Sequence, residues 1–178
     1  SSAVAPVNAG TYKASASYSG DANHDGSSDS KNFTIDKAAS VTLVTINGGP
    51  FIYTGSAIEP ATVSVTGAGG LNETPAAAYV NNINVGTATA SYTYAGDANH
   101  YGSNDSEDFA IGKASTTTTV VATNATYDGN QHGATASVTG DGGLSESLTV
   151  TYEGVAPTVY ASSAVAPVNA GTYKASAS

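Results

Sequence analysis

The seventeen residues SSAVAPVNAGTYKASAS stand at positions 1–17 and again, unchanged, at positions 162–178. Identity over that length marks a repeat with a period of 161 residues. GDANH occurs at 20–24 and at 96–100, and the same 76-residue step carries Phe33 onto Phe109, Ile35 onto Ile111 and Lys37-Ala38 onto Lys113-Ala114. VTGAGGL at 65–71 matches VTGDGGL at 138–144, and Tyr53-Thr54-Gly55 matches Tyr127-Asp128-Gly129. NVGTA at 84–88 matches NAGTY at 169–173, now 85 residues on, with the extra length in APTVYASSAVAPV. Units of 76 and 85 residues therefore alternate and together make the period. One unit is complete at 39–114; the other is split, its front at 115–178 and its back at 18–38.

Within each unit the apolar pattern has period two. In TYKASASY, Tyr12, Ala14, Ala16 and Tyr18 alternate with Thr11, Lys13, Ser15 and Ser17; in TATASYTY, Ala88, Ala90, Tyr92 and Tyr94 do the same. Phe33/Ile35, Phe109/Ile111, Val63/Val65, Ala136/Val138 and Leu148/Val150/Tyr152 repeat it. Such alternation predicts strands with one buried and one wet face. Asn47-Gly48, Gly69-Gly70 and Gly142-Gly143 punctuate the runs as turns. Six or seven short strands in under 90 residues, with no helical period, predict an all-β chain of antiparallel β-sandwiches.

Charge narrows the function. Five Lys and no Arg stand against 14 Asp and Glu, a formal net charge of −9. Nothing here could neutralise a run of phosphates, which argues against nucleic acid and against anionic membrane surfaces. No segment is long and apolar enough to span a bilayer, so no membrane insertion is expected of these residues. The chain has no Cys. It therefore carries no disulfide or reactive thiol, which suits an exposed extracellular setting.

GTYKASASYSGDANHDGSSDSKNFTIDKA and GTATASYTYAGDANHYGSNDSEDFAIGKA look like the last two strands of bacterial Ig-like repeats. ATYDGN and FIYTGS, followed by VTGDGGL and VTGAGGL, resemble the MBG/YDG-type repeats of large bacterial surface adhesins. The likeness covers nearly the whole chain. It implies tandem Ig-like antiparallel β-sandwiches, head to tail. Residues 1–38 would be the C-terminal part (strands F and G) of one repeat, 39–114 a complete repeat, and 115–178 the N-terminal part (strands A to F) of the next. It also implies a structural stalk or filament at the cell surface, whose partners are neighbouring copies of the same repeat. Gly10-Thr11-Tyr12 and Gly171-Thr172-Tyr173 resemble the tyrosine corner of such sandwiches, with Tyr12 and Tyr173 bonding back to upstream backbone; Ala88 stands at the matching place of the middle unit. The junctions FTIDKAASVTL and FAIGKASTTTT hold no Pro or Gly-Ser tract, which predicts stiff connections.

The sharpest local motif is DANHDGSSD. Asp21, Asn23, Asp25 and Asp29 alternate oxygen ligands around Gly26, as a calcium loop would, but Asn32 stands where a bidentate Glu is needed. The second copy keeps Asp97, Asn99 and Asp105, loses a ligand to Tyr101 and gains Asp108. Asp and Asn also bond their own backbone in plain turns, and that reading is preferred; calcium is the one cofactor the motif suggests. Catalysis has no foothold. The three His are scattered, no nucleophile–base pattern is present, and charged positions differ between copies, so no enzyme is expected. Sequons stand at Asn32, Asn72, Asn104 and Asn124. Clustered exposed aromatics would mark the other function, a glycan- or protein-binding module; only Tyr101 and Tyr160 are expected to face outward.

The repeated ends allow two arrangements. The preferred one is a stretch of a longer continuous polypeptide. The other is a subunit that polymerises by donating strand G, residues 31–38, to a neighbour.

Overall fold

The computed structural model describes residues 4–177; the first three residues and the last of the duplicated seventeen lie outside them. The described chain is all-β. Its only helical turns are two 3₁₀ turns of three residues, in the loops that follow VTG.

β1 (Gly10–Tyr18) and β2 (Ser27–Ile35) form an antiparallel hairpin, with Tyr12 opposite Phe33 and Ala14 opposite Lys31. The alternation in TYKASASY predicts a buried face, but nearly every residue of both strands is exposed. Among the described residues these two strands form a sheet of their own, with no further strand hydrogen-bonded to it. On its apolar face the Tyr12 ring rests on Phe33, with centroids 5.7 Å apart.

Next come β3 (Ser40–Ile46), β4 (Phe51–Ile52), β5 (Ala61–Gly67), β6 (Asn72–Glu73), β7 (Ala78–Val80), β8 (Gly86–Tyr94) and β9 (Ser103–Gly112). β3, β5 and β6 form one antiparallel sheet. β7, β8 and β9 lie side by side in another. Here the period-two reading holds. Thr42 and Val44 of β3, Val63 and Val65 of β5, Ala88 and Ala90 of β8 and Phe109 of β9 are buried. Removing a Val or Phe side chain from water contributes roughly 1.5–3 kcal/mol, so these alternate positions dominate the core. Tyr79 stands edge-on to Phe109, with ring centroids 6.4 Å apart. Two sheets that each bury one face are what a β-sandwich requires.

β10 (Thr116–Ala122), β11 (Ala134–Gly140) and β12 (Leu144–Ser147) form a three-stranded antiparallel sheet; β13 (Thr151–Gly154) and β14 (Tyr173–Ser176) form a pair. Ala136, Val150 and Tyr152 make their core, with Val120, Leu148, Tyr160 and Ala175 packed against it.

The chain divides into two compact units. One holds Ser1–Gly49, Glu59–Asn82 and Thr87–Phe109; the other holds Pro50–Ile58, Ile83–Gly86 and Ala110–Ser178. β9 passes from the first into the second. There its last residues, Ile111 and Gly112, pair in parallel with Phe51 and Ile52 of β4.

Candidate functional site

Both GDANH segments are closed turns. The Asp21 amide donates to the His24 carbonyl at 3.0 Å and the Asp97 amide to the His100 carbonyl at 3.2 Å. The glycine before each turn is required: a Cβ on Gly96, at φ +86°, would lie 2.7 Å from the His100 carbonyl. Asp97 Oδ1 accepts the amides of Asn99 at 2.7 Å and His100 at 2.6 Å. Asp21 Oδ1 accepts the Asn23 amide at 2.9 Å, and its Oδ2 accepts the Tyr18 hydroxyl at 2.8 Å. These are Asx turns, in which the carboxylate stands in for a backbone acceptor.

The two loops differ in what their histidines reach. His100 is buried. Its Nδ1 lies 2.9 Å from Asp97 Oδ1, and its Nε2 lies 2.7 Å from the Ala68 carbonyl in the VTGAGGL loop. The Asp97 carboxylate first, then the Ala68 carbonyl, raise the His100 pKa; His100 first, then the loop amides, hold Asp97 well below the usual carboxylate range. The His24 side chain keeps the carboxylate contact, at 2.9 Å from Asp21, but is 71% exposed. The Asn23 amide first, then the Tyr18 hydroxyl and the His24 ring, lower the pKa of Asp21.

The remaining acidic side chains go separate ways. Asp29 Oδ1 accepts the neighbouring Ser30 amide at 2.8 Å. Asp105 Oδ2 accepts the Val44 amide at 2.8 Å, and Asp108 Oδ1 accepts the Thr89 hydroxyl at 2.6 Å. Asp25 is exposed beside its turn. Asn99 faces away from the carboxylates: its Oδ1 accepts the Ala9 amide at 2.8 Å and its carbonyl accepts the Ala38 amide. Among the described residues, no three Asp, Glu, His or Cys side chains are gathered as metal ligands.

Tyr12 and Tyr173 repeat one geometry. Each hydroxyl donates at 2.8 Å to the carbonyl four residues upstream, Asn8 and Asn169 respectively. A different tyrosine pair ties the sheets. Tyr79 Oη accepts the Ala61 amide, and Tyr152 Oη the Ala134 amide, each at 2.9 Å. The sequence pattern put Tyr152 on a buried strand face and assigned this bond to neither residue; the common spacing of 18 residues to Ala61 and Ala134 was the available signal. Tyr101 is exposed as expected. Tyr160 is not: it packs edge-on to Tyr173 at 5.6 Å and bonds the Val165 carbonyl, because the 156–168 insertion folds back over β14. Asn32, Asn72, Asn104 and Asn124 are all exposed.

The second unit holds a groove of about 410 Å³ between the segment after β10 and β14. Ala122, Asn124, Tyr127, Tyr152, Tyr173 and Ala175 are among the residues that line it. No family model, curated protein or solved structure matches the chain.

Proposed function

We propose that this chain is a structural repeat segment of an extracellular bacterial filament or adhesin stalk, built from tandem Ig-like β-sandwiches with a 161-residue period. The observation that carries this reading is the meeting of Tyr53 with Gly142. Tyr53 belongs to one repeat and Gly142 to the VTGDGGL loop of the next, yet both lie in one compact unit, and a Cβ on Gly142 would collide with the Tyr53 ring. Repeats that touch directly, with no flexible tether between them, resist bending, as a stalk must. The high Ser, Thr and Asn content, the absence of Cys and the net charge of −9 suit an exposed, soluble array.

Electron microscopy of the native assembly tests the reading. The expected result is an unbranched fibre with an axial period of about 70–90 Å, two sandwiches of roughly 35–45 Å each. Isolated particles with no axial period, together with glycan or protein binding by the segment alone, would replace it with the binding-module reading.

A further inference from the structure

We propose that the GDANH loop at 96–100 is a clamp that fixes the β1–β2 hairpin to the repeat beginning at residue 39, and that Asn99 is the residue that closes it. The inference rests on the array of repeats proposed above. It gives the motif a task in that array, which is to hold one repeat in a set orientation on the next.

The hairpin is gripped at its base on both strands. Gly10 and Ile35 are the last residues paired at that end. Beyond Ile35 the chain runs on into the complete repeat. There the Ala38 amide donates to the Asn99 carbonyl at 2.8 Å, and the Tyr101 amide donates to the Ala38 carbonyl at 2.9 Å. The Lys37 ammonium donates to the Asp97 carbonyl. Just before Gly10, the Ala9 amide donates to Asn99 Oδ1 at 2.8 Å, and Asn99 Nδ2 donates to Asn8 Oδ1 at 3.2 Å. A covalent connection alone leaves two joined bodies free to swivel about it. A second attachment, on the other strand of the hairpin, removes that freedom. Asn99 supplies it across 90 residues of chain.

The rest of the motif holds Asn99 in place. Asp97 accepts the amides of Asn99 and His100, which fixes the backbone of the loop. His100 reaches the Ala68 carbonyl at 2.7 Å and so ties the loop to the body of its own repeat. A Cβ on Gly67 would lie 3.0 Å from the His100 ring, so the glycine of VTG makes room for that tie. Asn99 is the member left to face the hairpin. Its place calls for a side chain that accepts and donates at once, which an amide does and a carboxylate does not.

The hairpin is prepared on its side too. The Tyr12 hydroxyl donates to the Asn8 carbonyl at 2.8 Å, so the tyrosine corner holds the very segment that Asn99 grips. The parts recur with the 76-residue step. Asn8, Lys37 and Ala38 have Asn84, Lys113 and Ala114 as counterparts, and Asp97, Asn99 and His100 have Asp21, Asn23 and His24. Ala9, Tyr101 and Ala68, whose counterparts are Val85, Asp25 and Asp141, enter the clamp through backbone groups alone. The residues that differ between the units are thus those whose side chains the clamp does not use.

The distance between two spin labels in the full chain tests the clamp. Ser15 of β1 and Ser106 of β9 are exposed, and the protein has no Cys of its own, so Ser15→Cys with Ser106→Cys puts one label on each side of the junction. The distance distribution should be narrow in this labelled parent, and Asn99→Ala should widen it about twofold, as for joined bodies that lose a fixed contact. Ala9→Pro removes the same bond from the side of the hairpin. It should widen the distribution as much, and the two substitutions together should widen it no further. Parent-width distributions in both single variants would overturn the proposal. Hydrogen exchange on the chain without labels provides a second measurement. Asn99→Ala should speed exchange of the Ala38 and Tyr101 amides about tenfold and leave those of Val63 and Val65 unchanged. Unchanged exchange at Ala38 would overturn the proposal, and so would equal acceleration at Val63 and Val65, since Asn99 would then serve the fold of its own repeat. A fibre of the expected period combined with any of these negative results would leave the filament reading standing and remove the clamp alone.

Discussion

His100 joins two loops that are far apart in sequence: its Nε2 sits 2.7 Å from the Ala68 carbonyl while its Nδ1 sits 2.9 Å from Asp97. Both ring nitrogens thus face acceptors, and only the imidazolium can donate to both. That is why the His100 pKa is raised, by Asp97 first and Ala68 second. A raised folded-state pKa contributes stability that is fully present below the unfolded value, about 6.5, and is lost as pH climbs through the folded value. Asp97 works in the opposite sense. Its depressed pKa contributes above the unfolded value of about 3.9 and is lost as pH falls through the folded one. Melting temperature should therefore be highest between these limits. The gap between the parent and His100→Gln should shrink as pH rises from 6 to 9, at about neutral and alkaline pH. A gap that stays constant across that range would show that the ring acts by packing alone.

Tyr94 has the reverse problem. Its hydroxyl is buried with no hydrogen-bond partner, whereas its counterpart Tyr18 donates to Asp21 at 2.8 Å. Burial first, then the nearby Asp97 carboxylate, raises the Tyr94 pKa, but the Asp97 oxygens are directed at His100 and the loop amides. An unpaired buried hydroxyl costs about 1–3 kcal/mol. Tyr94→Phe should raise stability by roughly 1 kcal/mol in denaturant unfolding. A loss of stability would mean that the hydroxyl is bonded in solution.

Asp105 and Asp29 are matched positions with different work. Asp105 accepts the amide of buried Val44, so Asp105→Ala leaves a buried N–H unsatisfied and should cost about 1–3 kcal/mol. Asp29 bonds the exposed Ser30 amide, so Asp29→Ala should change stability by less than about 0.5 kcal/mol. Equal losses from the two substitutions would contradict the assignment of Val44 as the distinguishing partner.

The strand pattern of the complete repeat was legible because it is local: Val63/Val65 and Phe109 alternate along single strands and are buried. The GDANH turns were legible too, since Asp97 bonds residues two and three places on. What could not be read was anything set by a distant element. His100 resembled a repeat consensus residue, and its bond to Ala68 spans 32 residues of chain. The exposure of β1 was missed because alternation reports which face is apolar, not whether a second sheet covers it. Tyr160 was misjudged for the same reason, as the segment that returns it to Tyr173 has no periodic signal.

The carboxylates of the two loops bear on calcium. Asp97 is engaged by two amides and the His100 ring, and Asp105 and Asp108 bond other strands. Calcium binding would have to break these bonds before forming its own. Chelator and millimolar calcium should therefore leave the melting temperature of the chain unchanged. A rise with calcium that chelator reverses would show that the loops reorganise around the ion.

Gly142 and Gly69 allow the contact between successive repeats to be measured in one chain. Both have left-handed backbone, at φ +72° and +69°, so a Cβ at either costs about 1–2 kcal/mol from conformation alone. Only at Gly142 does that Cβ also run into the Tyr53 ring. Gly142→Ala should therefore destabilise more than Gly69→Ala, by about 1–3 kcal/mol, the ordinary cost of overpacking a close contact. With Tyr53→Ala in the background the ring is gone, and the two substitutions should cost the same. The double-mutant cycle in denaturant unfolding reads this coupling directly. Equal costs in the parent chain would show that Tyr53 yields freely, and the stiffness attributed to the junction would then have no basis in this contact.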